Sequence, residues 1–392
     1  MKYKIKYRLL GGAVCLLFAV CAVQCSKPKT DGPVNHGNNT GTDPGTTPTT
    51  PTTPVTSFIH PGILNTQAGL DYIRTQSADA GSGRYADFNA TVVNYVNKNT
   101  VPTTFPATVV AKSSGSTPTE TQIKSNATLV YALALRWAQS GNATYAAQAI
   151  SILNGWAYNF QQYTIDAGSN ANQSDLEAAW VAPTFCAAAE IIRYYKINGV
   201  GAGWSDADIA LFSDFLNNLK NNYINKTPNY SNNWNVSAAY AKIAIGVFLN
   251  STSVYQSGVD ALKAIMPSVI QADGTMPELC VRNDCVHYQY SLTGLTYGAE
   301  IARIQGDNSI YTLSNNRISA GYDYMFNAYR DQYPSCSTCS TKPMYGGIEV
   351  ANRYYQSTDT KALRAMQPPV NVPSDNTFLG FTTYTHYGVP LQ

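Results

Sequence analysis

Asn126-Ala127-Thr128-Leu129-Val130-Tyr131-Ala132-Leu133-Ala134-Leu135-Arg136-Trp137-Ala138-Gln139-Ser140 runs, after Gly141-Asn142, into Ala143-Thr144-Tyr145-Ala146-Ala147-Gln148-Ala149-Ile150-Ser151-Ile152-Leu153-Asn154-Gly155-Trp156-Ala157-Tyr158. Two apolar helical stretches are thus parted by a short polar break. The same unit recurs over residues 176–197, 205–223, 235–249, 254–272, 288–305 and 310–329, with breaks such as Gly306-Asp307-Asn308. Short breaks make consecutive helices antiparallel neighbours, and repeated pairs pack as a solenoid or a closed ring. No fixed-period solenoid signature is visible, so the reading is all-α: an α/α toroid, or incomplete α/α barrel, of antiparallel helix pairs. Such a ring collects loops around one concave end. Strand segments are expected only near the C-terminus.

Ahead of the pairs, Thr66 is placed to cap a helix through Gly69-Leu70-Asp71-Tyr72-Ile73, and another helix is expected over residues 85–97. Residues 99–121 are rich in Thr, Ser, Pro and Gly and read as a lid over the concave end. The N-terminus carries Lys2, Lys4, Lys6 and Arg8 before an apolar stretch from Leu9 to Val23, the layout of a secretory signal and too short for a membrane span. Cys25, ahead of Ser26-Lys27-Pro28-Lys29, is read as a bacterial lipoprotein acylation site, with Cys21 as the competing choice. Residues 26–57 are a Thr/Pro/Gly-rich spacer expected to be disordered, leaving residues 58–392 as one folded body. The expected location is the periplasm or outer membrane of a Gram-negative bacterium, with membrane contact only through the lipid.

The formal charge of +2 rests on the leader: without its four basic residues, 22 basic stand against 24 acidic. No basic run follows, which argues against a nucleic-acid partner. Tyr (28) far exceeds Phe (12), and flat rings with a polar edge suit stacking on sugars. No Walker loop, zinc-binding His pair or nucleophile elbow is present, and neither metal nor cofactor is expected. Five cysteines follow the leader. Cys186 lies in an apolar helix and reads as core, while Cys280 with Cys285, and Cys336 with Cys339, are expected to close two small disulfide loops. A zinc site from those four thiolates is the alternative.

The densest run of reactive side chains is Asp273-Gly274-Thr275-Met276-Pro277-Glu278-Leu279-Cys280-Val281-Arg282, continuing through His287-Tyr288-Gln289-Tyr290-Ser291-Leu292. Together with His60-Pro61-Gly62-Ile63-Leu64, the helix through Tyr131 and Trp137, Asn232-Asn233-Trp234-Asn235, Ala299-Glu300-Ile301-Ala302 and Thr382-Thr383-Tyr384-Thr385-His386, it resembles the alginate lyase domain family of α/α-toroid polysaccharide lyases. The likeness spans roughly residues 58–390, and polysaccharide lyase families five and thirty-eight look nearest.

The resemblance implies cleavage of a uronic-acid polymer, alginate or glucuronan, by β-elimination. That reaction needs a neutraliser for the uronate carboxylate, a base for the C5 proton and an acid for O4. Asn233, Asn232 and Arg282 are the expected stabilisers of the carboxylate. Tyr288 is the expected proton carrier, its phenolate favoured by Arg282. His287, Trp180, Trp234, Glu177, Tyr290, Lys124, Asn126 and His386 are the expected substrate contacts. Family-five lyases resemble Asn-Asn-His where this chain has Asn232-Asn233-Trp234, so His287 and His386 are left as sources of an imidazole. A monomer acting on an acidic polysaccharide is expected. The rivals are a non-catalytic glycan-binding lipoprotein and an α/α-toroid glycoside hydrolase, which would need a facing carboxylate pair from Asp175, Glu177 and Glu278.

Overall fold

A computed structural model describes residues 55–333, 335–367 and 376–392. The leader, both acylation candidates and residues 26–54 of the spacer lie outside them. The helices are α1 (Gln67–Gln76), α2 (Gly83–Phe88), α3 (Asn94–Lys98), α4 (Pro118–Ser140), α5 (Ala143–Asn159), α6 (Gln173–Tyr194), α7 (Asp206–Asn222) and α8 (Asn233–Phe248). There follow α9 (Thr252–Val269), α10 (Glu278–Arg282), α11 (His287–Ile304), α12 (Leu313–Tyr329), α13 (Gly347–Tyr355), α14 (Thr358–Met366) and α15 (Thr382–Thr385). A π-helical turn over Asn89–Val93 joins α2 to α3.

Local chemistry sets the helix ends. Thr66 Oγ1 accepts from Gly69 N at 3.0 Å, as the sequence predicts. Thr117 caps α4 through Glu120 N at 3.2 Å, with Pro118 in the first turn, where its missing N–H costs nothing. At the other end Gly141 takes φ 71°, left-handed backbone that glycine adopts without a Cβ clash, and its N–H closes onto Trp137 O. Asn142 then caps α5 through Thr144 N at 2.9 Å. One Ser-Gly-Asn break therefore stops one helix and starts the next.

The pairs arrange as an α/α toroid. Helices α4, α6, α8, α11 and α13 pack side by side as the inner wall, with α5, α7, α9, α12 and α14 outside. Helices α1 and α15 bridge α13 back to α4. Ala178, Ala179, Ala182, Ala187, Ala188 and Ala189 on α6 are fully buried, and these small side chains let inner helices approach closely. On the outer side, a Cβ on Gly258 of α9 would sit 2.8 Å from Ala239 O on α8, so that crossing requires glycine.

The inner helices run parallel. Near their N-terminal ends Trp180 (α6) donates to Ser237 (α8) at 3.2 Å and meets the Tyr290 ring (α11) at 5.6 Å. Near their C-terminal ends Arg193 (α6) donates to Phe248 O (α8) at 3.1 Å, and Arg353 (α13) pairs with Glu300 (α11) at 3.1 Å. One mouth of the ring therefore gathers the N-terminal ends of several inner helices.

Three expectations change. The C-terminal region forms α13, α14 and α15 instead of strands, and the strands of the described residues lie at β1 (Thr108–Ala111) and β2 (Gln162–Ile165), paired in parallel. The supposed lid thus contains β1 and the first turn of α4. It is tied down over the starts of α4 and α6, with Lys112 N donating to Glu120 at 2.9 Å and Ser113 Oγ to Gln173 at 3.2 Å. The disulfides join Cys280 to Cys336 and Cys285 to Cys339, not near neighbours in sequence. They staple the α10–α11 segment to the loop after α12 and leave no four-thiolate zinc site. Cys186 is free and buried, as expected.

Candidate active site

Side chains from α8, α10 and α11 meet at this mouth. Asn232 is the N-cap of α8, its Oδ1 accepting from Trp234 N at 3.0 Å. Capping commits that side chain to the backbone. Asn233, in the first turn, points across to Glu278: its Nδ2 donates to Oε1 at 2.7 Å, while Ser291 Oγ donates to Oε2 at 2.6 Å. Asn233 Oδ1 is buried with no hydrogen-bond partner among the described residues. Burial raises the Glu278 pKa against the pull of Ser291, Asn233, His287 and Arg282. Arg282, half-buried at the end of α10, acts on this site through its charge on Glu278.

Next to it stands an oriented imidazole. His287 Nδ1 lies 2.7 Å from Asp284 Oδ2, and the other oxygen of Asp284 accepts from Val286 N at 2.8 Å and His287 N at 3.0 Å. Burial alone would raise the Asp284 pKa, but His287 and these two amides hold it down at about 2. A carboxylate at Nδ1 fixes the proton there and leaves Nε2 of the neutral ring as the basic nitrogen.

Tyr290, one turn into α11, meets His287 edge to face at 5.5 Å and is walled by Trp180, Tyr345 at 5.3 Å and Phe378 at 5.7 Å. Tyr288 behaves otherwise. It is fully buried, its hydroxyl has no partner among the described residues, and its surroundings are Tyr329, Tyr324 and Asp284. Burial drives its pKa well above 10, opposite to the phenolate stabilisation expected from Arg282. The physical reason is angular: two residues along a helix turn about 200°, so when Tyr290 faces the mouth Tyr288 faces the outer layer.

The expected substrate contacts divide. Trp180 is half-buried and lines the mouth. Trp234 is 1% exposed and packs on Tyr230, so it belongs to the core and offers no sugar platform. Lys124 is buried between Glu177 at 2.7 Å and Glu120 at 3.1 Å, 4.6 Å from the Trp180 ring centre. Lys124 and Glu177 therefore support the wall from behind instead of reaching a ligand. That trio carries one excess negative charge when fully ionised, and burial lifts the Glu177 pKa to about 7. Asn126 accepts from Trp156 Nε1 at 3.1 Å inside the core. His386 is buried at the opposite end, held by Thr385 Oγ1 at 2.7 Å and Leu64 O at 3.0 Å, with burial pushing its pKa well below 6.5. It closes the fold.

Sequence reasoning missed Asp284, Ser237, Tyr345 and Phe378. Asp284 had a readable signal, an acidic residue three positions before His287 at a helix start.

The alginate lyase family model matches residues 76–334, about two thirds of the chain. The chain belongs to the alginate lyase family of polysaccharide lyases. Among solved structures, alginate lyase A1-III from Sphingomonas species A1 is similar over 83% of this chain and 98% of its own, at 18% identity and TM-score 0.64. An alginate lyase from Bacteroides ovatus is similar over 84% and 99%, at 13% identity and TM-score 0.65. A tyrosine-to-phenylalanine variant of A1-III complexed with a tetrasaccharide is similar over 83% and 97%, at 17% identity and TM-score 0.61. At these identities the likeness establishes the fold. No curated protein matches the sequence.

Proposed function

We propose that this lyase cleaves alginate or a related uronan by β-elimination, with Tyr290 and His287 as the proton-transfer groups. The observation that carries the reading is the convergence of Tyr290, the Asp284-held His287 and Asn233 at one mouth of a family fold. In the reaction, the C5–H bonding pair becomes the C4=C5 double bond as the C4–O4 bond breaks, and O4 takes up a proton. His287 Nε2 or the Tyr290 oxygen removes the C5 proton, and the Tyr290 hydroxyl serves the O4 side. The N-terminal ends of the inner helices favour the negative charge that develops on the uronate carboxylate, with Asn233 holding Glu278 beneath them. Trp180 offers an apolar face to a sugar ring.

His287 supplies the imidazole that Trp234 withholds at the family's Asn-Asn-His position. The related A1-III enzyme is seen with a tetrasaccharide in tyrosine-to-phenylalanine and histidine-to-alanine variants, which supports the same pair of residue types here. A hydrolase reading is disfavoured because Glu177 is locked to Lys124, and Glu278 to Asn233 and Ser291, which leaves Asp175 without a free carboxylate to face among the three candidates. We further propose an exported, lipid-anchored enzyme acting as a monomer, on the strength of the leader, Cys25 and the polar spacer.

The test is a panel of polymannuronate, polyguluronate and glucuronan incubated with the full chain. Growth of the ultraviolet absorbance of an unsaturated uronate is expected on at least one. Retardation of the polymers in a gel with no absorbance on any of them would instead mark a glycan-binding protein.

A further inference from the structure

On the outer flank of α8, away from the mouth, lies a cavity of about 330 Å³ between the 224–231 segment and α9. A water takes about 30 Å³, so this space suits a sugar-sized ligand. Lys242 lines it, with Thr227, Asn225 and Ser268 around it and Ala239 and Ile265 among its apolar walls. No Asp or Glu does. Lys242 is half-buried and makes no ion pair or hydrogen bond among the described residues, and burial alone lowers its pKa. A half-buried ammonium facing a groove with no carboxylate in its lining is partly desolvated and unpaired, and an acceptor-rich anion entering the groove would pair with it.

The site is tied to the mouth through the chain. Asn235 accepts from Tyr230 N at 2.9 Å and Ser231 N at 3.1 Å and donates to Pro228 O at 3.2 Å, holding the loop that leads into Asn232 and Asn233. Asn233 faces Glu278, whereas Lys242 faces the outer groove, so the two lie on different faces of α8.

We infer that this cavity is a second binding site for a uronate unit, in which Lys242 holds the carboxylate and the alanine and isoleucine side chains meet the sugar's C–H face. The identity of the ligand rests on the lyase reading above. A polymer engaged at the mouth can then also be held outside it, which raises its effective concentration without adding a contact at the reacting sugar.

The test compares the full chain with Lys242→Gln and Lys242→Arg. Affinity electrophoresis in gels containing alginate should show binding about tenfold weaker for Lys242→Gln, with recovery in Lys242→Arg. A neutral dextran gel should retard none of them. On cleavage, Lys242→Gln should raise KM for polymer severalfold and leave kcat and KM for a trisaccharide unchanged. Equal retardation of Lys242→Gln and the parent chain, or an equal loss on polymer and trisaccharide, would overturn the inference. The gel needs no turnover: absence of lyase activity in the parent chain would defeat the lyase reading alone, and the retardation would still decide the site.

Discussion

Tyr288→Phe and Tyr290→Phe, made side by side, separate the two tyrosines that sequence alone cannot rank. Each removes one oxygen and keeps the ring. At Tyr288 the hydroxyl is buried without a partner among the described residues, so deleting it removes an uncompensated desolvation of about 1–3 kcal/mol. After some repacking, the fold should be unchanged or more stable by about 1 kcal/mol, a rise in Tm of about 2 °C or less in a domain this large. Turnover should stay within about twofold, because a fully buried phenol cannot reach a sugar. At Tyr290 the ring keeps its contacts with Trp180, Tyr345 and Phe378, so stability should change by about 1 kcal/mol or less. Loss of the proton-transfer group should lower kcat by about 10²–10⁴-fold, or roughly 3–5 kcal/mol of transition-state stabilisation. The assay is initial-rate ultraviolet absorbance on the best uronan, paired with thermal unfolding of each variant. Loss of activity in Tyr288→Phe at unchanged Tm, with Tyr290→Phe still active, would refute the assignment.

Asp284→Asn should lower kcat about tenfold or more, since it removes the carboxylate that sets the His287 tautomer and orientation; unchanged turnover would leave Asp284 a mere helix cap. In the buried trio, the Glu177 pKa is raised in the fold, so its contribution to stability is present at low pH and lost as pH rises from about 4.5 to about 7. Glu177→Gln should therefore flatten the dependence of Tm on pH across that window, and a slope equal to that of the parent chain would contradict the linkage. Lys124→Met should cost about 3–5 kcal/mol at pH of about 8, and less at about 5 where the carboxylates take up protons, as chemical denaturation at the two pH values would show. Removing the Cys285–Cys339 bridge with paired serines should cost about 2–4 kcal/mol and lower activity by loosening the start of α11; peptide mapping that instead joined Cys280 to Cys285 would overturn the pairing.

The helix pairs were legible because their chemistry is local. Ser140-Gly141-Asn142 stops and restarts a helix through hydrogen bonds spanning a few residues, so the alternation that makes a toroid is written in the chain. The two short strands were not, because Thr108–Ala111 holds only four residues in a Thr- and Pro-rich run, and its partner lies more than fifty positions away. The cysteines misled for a related reason. Near neighbours in sequence are the economical guess, but the loop after α12 folds back over α10 and the start of α11, and the bridges record that packing.

The site was half legible, and the missing half is angular. In the proposed site the Asp273–Leu292 stretch supplies His287 and Tyr290, yet whether Tyr288 or Tyr290 faces the mouth depends on which side of α11 meets α8, and only the ring of inner helices fixes that. The same geometry explains the missing histidine. Position 234 turns inward against Tyr230 and is filled by a core tryptophan, so an imidazole placed there would face packed side chains. The neighbouring helix brings His287 to the Glu278 side of Asn233, with Asp284 to orient it. A ring whose inner helices start at one mouth can supply the same chemical group from either of two adjacent helices. On the proposed roles, loss of the Asn-Asn-His pattern does not by itself remove the chemistry, and the double substitution Trp234→His with His287→Gln should fail to restore what His287→Gln takes away.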